Sequence, residues 1–144
     1  MLDELTLSIK TTFESVQSAN DTASQWLAER GASPDMQYFA NLAIEELVTN
    51  CIKYGFDDNE DHLIEVRLSV SASSIAVIVM DDGRPFNPLV VPDPDTSLPL
   101  EERPIGGLGI HLLRRMSDEI EYVREGNKNR VTLRKTLGGR TNSP

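Results

Sequence analysis

The chain predicts an α/β sandwich, with one mixed, mainly antiparallel sheet covered by helices on one face. Three observations carry this expectation. Two pairs of strand-like segments, 64–80 and 120–135, are each joined by a turn short enough to imply antiparallel pairing. Two stretches of helical period precede the first pair, and a third helix follows a glycine cluster between the two pairs.

The elements follow in order. Leu5, Leu7 and Ile9 alternate as in a half-buried strand. Val16, Ala19, Ala23, Trp26 and Leu27 recur at helical spacing, and Gly31 is a plausible stop. Ser33 and Pro34 open the next helix as N-cap and first-turn proline, and that helix runs on through the segment 44–56. Ile64, Val66, Leu68 and Val70 alternate cleanly, and after the Ala72-Ser73-Ser74 turn a more fully apolar strand spans 75–80. The helix after the glycine cluster carries Ile110, Leu113 and Met116. Ile120 and Tyr122 then mark one strand, Gly126-Asn127 a turn, and Val131, Leu133 and Lys135 another. Six of the eight prolines lie between Pro85 and Pro104, where neither period appears. A loop that long inside a compact domain is usually functional or disordered.

At 144 residues, with no internal repeat and no composition break, the chain predicts one domain over 1–144. Its net charge of −9, with no long basic run, argues against nucleic acid as a partner. The single cysteine, Cys51, excludes an internal disulfide and a cysteine-based metal cluster. No stretch approaches the roughly 20 apolar residues of a membrane span, and the N-terminus lacks a signal peptide's basic start and apolar core. The expected compartment is the cytoplasm, with no membrane partner.

Three motifs carry chemistry. Glu46 and Asn50 lie four residues apart on an otherwise apolar helix, a spacing that stacks them on one face of a regular α-helix. A carboxamide oxygen is a neutral, hard ligand suited to Mg²⁺, and a carboxylate one turn away suits a general base acting beside a terminal phosphate. Second, the apolar strand ends abruptly in Asp81-Asp82-Gly83. A carboxylate there can accept from an exocyclic amine, and Gly83 allows close backbone approach to a flat ring. Alone, it would be an ordinary Asp-Gly turn. Third, Gly106, Gly107, Leu108, Gly109 and Ile110 open a helix, where free amides and the helix dipole favour an anion. This is neither a P-loop nor a dinucleotide fingerprint, since GK[ST] and GxGxxG are both missing.

In this order the three motifs resemble the N, G1 and G2 boxes of the GHKL ATPase superfamily. The strings EELVTN, DDGRPFNP and GGLGIHLL are most similar to anti-sigma-factor serine kinases of the RsbW and SpoIIAB type, with the resemblance spanning roughly 5–137. It implies the Bergerat-type ATP-binding fold, ATP and Mg²⁺ as cofactors, and an ATP lid over about 85–104. It also assigns roles: Glu46 as general base, Asn50 as Mg²⁺ ligand, Asp81 as acceptor from the adenine amine, and Gly83 beneath the ring. Gly107, Leu108, Gly109 and Ile110 become the phosphate-facing loop, and Arg103, at the lid's end, a side chain within reach of the terminal phosphate. Two residues depart from the pattern. Pro85 stands where many relatives have a second G1 glycine, and Asn129 near the place of an adenine-binding threonine, for which an amide can substitute. Glu45 faces elsewhere on the helix, and His62 and His111 receive no catalytic role.

The activity implied is Mg²⁺-ATP-dependent phosphorylation of a serine or threonine on a STAS-type anti-sigma-factor antagonist. A sigma factor is a second candidate partner and a homodimer the candidate assembly. Two alternatives stay open: a histidine-kinase-like catalytic domain acting on a separate phosphoacceptor, and a non-catalytic nucleotide-gated binding module.

Overall fold

The computed structural model describes residues 2–58, 60–90 and 108–136. Five strands form one sheet: β1 (Asp3–Lys10), β2 (Leu63–Val70), β3 (Ser74–Asp81), β4 (Glu119–Glu125) and β5 (Lys128–Thr136). Their spatial order is β1-β2-β3-β5-β4, and all four pairings are antiparallel. The short turns foreseen at 72–74 and 126–127 account for two of these pairings, the first falling at 71–73, between Val70 and Ser74. The other two arise because β1 adds beside β2 and β5 inserts between β3 and β4.

Helices cover one face. The first, α1 (Phe13–Glu29), is capped by Thr12, whose Oγ1 accepts from Ser15 N at 3.2 Å, and α2 (Pro34–Ala43) by Ser33, whose Oγ accepts from Met36 N at 3.2 Å. Each such cap contributes about 1 kcal/mol. Val16, Ala23 and Leu27 of α1 and Met36, Phe39 and Ala43 of α2 pack against Ile64, Val66 and Leu68 of β2, Ile75, Val77 and Val79 of β3, and Val131 and Leu133 of β5. Phe39 and Leu27 are completely buried, and each is worth roughly 1.5–3 kcal/mol relative to exposure. Alternate residues such as Arg67 and Arg134 point to the open face and are exposed.

The helix expected to continue from Pro34 does so with one irregularity. After α2 the backbone widens into a π-helical turn, Ile44–Val48, and resumes as α3 (Thr49–Tyr54). Glu46 therefore sits in the π turn and Asn50 in α3, so the regular 3.6-residue geometry assumed for the pair does not hold between them. Such insertions often fall at functional sites. The last helix, α4 (Leu108–Met116), anchors through Ile110 and Leu113, both fully buried.

Candidate functional site

The end of β3 meets α3 and the start of β5 around Asp81. The alternation that buries Val77 and Val79 also turns Asp81 inward, so this carboxylate is only 4% exposed. Among the described residues it has three donors. Oδ1 accepts from Gly83 N at 2.9 Å and from Asn129 Nδ2 at 3.0 Å, while Oδ2 accepts from the Cys51 thiol at 3.4 Å. Burial, followed by the charge and hydrogen bond of Asp81, pushes the Cys51 thiol well above its ordinary pKa and leaves it an inert donor.

Gly83 is required by contact. A Cβ there would lie 2.5 Å from the Gly55 carbonyl oxygen and 3.0 Å from Asp81 Oδ1. The bare backbone lets the turn after β3 dock on the end of α3, where Arg84 N donates to Gly55 O at 3.0 Å and Arg84 Nε to Tyr54 O at 2.8 Å.

Beyond this turn, segment 83–90 is fastened by side chains from four elements. Arg124 Nη1 of β4 donates to Gly83 O at 2.8 Å, and Asn129 Nδ2 of β5 to Arg84 O at 2.8 Å. Asn50 Nδ2 of α3 donates to Pro88 O at 3.1 Å, and Arg114 Nη2 of α4 to Leu89 O at 2.9 Å. Leu89 itself is buried in the core. The first six residues of the expected lid, 85–90, are thus tied to the scaffold. The rest of that segment lies outside the described residues, as do Arg103 and Gly107.

The bond to Pro88 also orients Asn50. A carbonyl can only accept, so the Asn50 NH₂ faces Pro88 and Oδ1 is the atom left for a ligand. That donor type fits a hard divalent cation such as Mg²⁺.

Glu46 is half-buried, whereas Glu45 is exposed. Burial raises the Glu46 pKa, the neighbouring Glu45 charge raises it further, and Lys53 opposes both. Its side chain lies against the start of α4: a Cβ on Gly109 would stand 2.5 Å from Glu46 Oε1 and closer to its Cγ and Cδ. Leu108 is 74% exposed at the first position of α4, while the Ile110 side chain is wholly buried. Ile110 could therefore meet a ligand only through its backbone. Thr49 Oγ1 and His111 Nε2, near these residues in sequence, are buried without a hydrogen-bond partner among the described residues.

Asn129 departs from its expected role as a nucleotide contact. It is 1% exposed, and all its hydrogen-bonding groups are engaged within the protein: Nδ2 with Asp81 and Arg84, Oδ1 with Phe86 N at 3.3 Å and the Tyr122 hydroxyl at 2.6 Å. Sequence reasoning missed Tyr122, Cys51, Arg114 and Arg124. Of these only Cys51 had a local signal, its place beside Asn50.

A half-buried carboxylate against a helix-opening glycine, an oriented carboxamide on the same helical rod and a buried Asp beside a close-packed glycine are carried on an α/β sandwich of the GHKL type. The family model described as histidine kinase-like ATPase domain matches residues 9–135, and the chain belongs to that family. Among curated relatives it is 30% identical over 114 residues to an anti-sigma F factor of Clostridium novyi, covering 72% of this chain and 75% of the relative. It is 28% identical over 131 residues to the serine-protein kinase RsbW of Listeria monocytogenes, covering 88% and 83%. It is also 24% identical over 101 residues to the serine/threonine-protein kinase BtrW of Bordetella bronchiseptica, covering 70% and 71%. The crystal structure of the RsbU and RsbW domains of a Mycobacterium tuberculosis protein superposes with a TM-score of 0.65 at 18% identity, covering 94% of this chain and 32% of that one. That likeness supports the fold. The sequence relatives place the chain among RsbW-type members of the family. Among the described residues, no helix is long and apolar enough to cross a membrane.

Proposed function

We propose that the protein is a Mg²⁺-ATP-dependent serine/threonine kinase that phosphorylates a STAS-type anti-sigma-factor antagonist in the cytoplasm. The observation that carries this reading is the contact between Glu46 and Gly109, which sets a raised-pKa carboxylate beside the amides that open α4. In this scheme Asp81 accepts from the adenine amine and the first-turn amides of α4 face the phosphates. Asn50 Oδ1 would hold Mg²⁺, which when bound would neutralise charge on the phosphate oxygens. Glu46 takes the proton from the attacking serine or threonine hydroxyl as its oxygen bonds to the γ-phosphorus and the bond to the ADP oxygen breaks. A pKa raised towards the working pH suits that role.

Relatives named anti-sigma F factor support a sigma factor as the second partner. A homodimer belongs to the same reading, because among the described residues β1 is an edge strand with a neighbour on one side only.

Incubation with ATP, Mg²⁺ and candidate STAS proteins, followed by mass spectrometry, tests the proposal. Phosphoserine or phosphothreonine is expected. Phosphohistidine on a partner would assign the chain to histidine-kinase chemistry, and nucleotide-dependent binding without transfer would make it a nucleotide-gated module.

A further inference from the structure

The Tyr122 hydroxyl lies on an edge strand and belongs to none of the three motifs, yet it makes one of the shortest hydrogen bonds among the described residues, 2.6 Å to Asn129 Oδ1. Its direction is fixed by what surrounds Asn129. The Asp81 carboxylate oxygen and the Arg84 carbonyl can only accept, so both N–H bonds of the Asn129 amide point at them. Oδ1 must then face the two donors, Phe86 N and Tyr122 Oη. Asn129 cannot flip without placing donors against donors and acceptors against acceptors.

Asp81 Oδ1 is already committed to Gly83 and Asn129, which leaves Oδ2 as the oxygen with capacity for an incoming amine beside the weak Cys51 donor. How Oδ2 is presented depends on how Oδ1 is held, and Oδ1 is held partly by an amide that Tyr122 orients. The ring of Tyr122 packs against the core, so its hydroxyl is delivered from a fixed position.

We propose that Tyr122 is a positioning residue for nucleotide-base recognition, acting through Asn129 on Asp81 without itself serving as an acceptor for the base. The proposal rests on the reading of Asp81 as acceptor of the adenine amine. It predicts a dependence confined to nucleotides that carry a 6-amino group.

The test is calorimetric titration of the full chain with Mg²⁺-ATP and with Mg²⁺-purine riboside triphosphate, which lacks that amine, for wild type and Tyr122→Phe. Phenylalanine keeps the ring and removes only the donor. One weakened hydrogen bond predicts a loss of roughly 2- to 10-fold in ATP affinity, with the affinity for the analogue unchanged. In an Asn129→Ala background, Tyr122→Phe should have no further effect on ATP. Unchanged ATP affinity in Tyr122→Phe overturns the proposal, as does an equal loss for both nucleotides, which would mean loosened packing or direct ring contact. A full additional loss in the Asn129→Ala background also overturns it. A wild-type protein that binds the two nucleotides equally would instead refute the role of Asp81, and the proposal would fall with it.

Discussion

Gly109→Ala should separate folding from catalysis at this site. The added methyl would stand 2.5 Å from Glu46 Oε1 and closer still to Cδ and Cγ, where ordinary contact begins at 3.4 Å, so the side chain must withdraw by more than the roughly 0.9 Å that separates those two distances. The atoms in the way are Cγ, Cδ and Oε1 of one flexible side chain, so relief takes a change of the Glu46 rotamer from its first side-chain torsion, with no backbone atom in the clash. Alanine also favours a helix over glycine by up to about 1 kcal/mol, and the variant should unfold within about 1 kcal/mol of wild type. Catalysis has no such tolerance, because a misplacement near 1 Å costs on the order of 10²-fold. The assay is single-turnover phosphorylation of the STAS partner beside thermal unfolding, with ATP affinity measured separately. A folded variant that transfers phosphate at the wild-type rate would refute the claim that Gly109 exists to seat Glu46. A loss of several kcal/mol in stability would show that the backbone, rather than the carboxylate, gives way.

Glu46→Gln should bind ATP normally and transfer phosphate about 10² to 10⁴-fold more slowly in single turnover, whereas Glu45→Gln should leave the rate unchanged. Because burial and Glu45 raise the Glu46 pKa above its ordinary 4.5, its ionised form is less favourable in the folded state than in the unfolded chain. The wild type therefore loses stability as pH rises through the raised value. Glu46→Gln should melt above wild type at neutral pH, with the difference vanishing below the ordinary value of 4.5; a variant less stable at neutral pH contradicts the sign. Asp81→Asn turns one acceptor oxygen into a donor facing Gly83 N, Asn129 Nδ2 or Cys51, at a cost of about 1–3 kcal/mol, and calorimetry should find ATP binding weakened as well. Wild-type ATP affinity would remove Asp81 from the site. The amides of Phe86, Leu89 and Val90 are all hydrogen-bonded and should exchange slowly even without nucleotide. Exchange at the rate of an open loop would show that segment 83–90 is not fastened as described.

Most of the fold could be read from local pattern. Strand alternation located β1, β2, β4 and β5, and in β2 and β5 burial follows the period of two, while β3 was marked by a continuous apolar run and buries Ile75, Ala76 and Val77 in succession. The cap at Ser33 and the proline after it marked the start of α2 because the unsatisfied amides of a first turn need such a side chain. The π turn was not legible. Isoleucine, glutamate, leucine and valine fit a regular helix equally well, and the widening becomes visible only once the rod is packed between the sheet and α4. The reading of Glu46 and Asn50 as one stacked pair assumed regular winding. What the structure offers in its place is two separate contacts, Glu46 on Gly109 and Asn50 on Pro88.

The limits of legibility are clearest at segment 83–90. A run of prolines without period reads as a loop free to move, and proline lacks the N–H through which a backbone ladder could hold it. The holding is done on the carbonyl side instead. Arg124, Asn129, Asn50 and Arg114 reach in from elements 25 to 45 residues away in sequence, and each donates to a different carbonyl. Bonds from side chain to distant backbone leave no periodic trace, and arginines on α4 and β4 look solvated until the turn after β3 is in place. Two of these four donors, Asn50 and Asn129, were singled out as ligand contacts, and the geometry gives both a second duty. Asn50 spends its NH₂ on Pro88 and keeps only an oxygen for a cation, while Asn129 spends everything. Segment 83–90 and the site are thus built from the same amides, so ligand chemistry at Asn50 or Asp81 is felt in this segment through one hydrogen bond or through the shared Asn129.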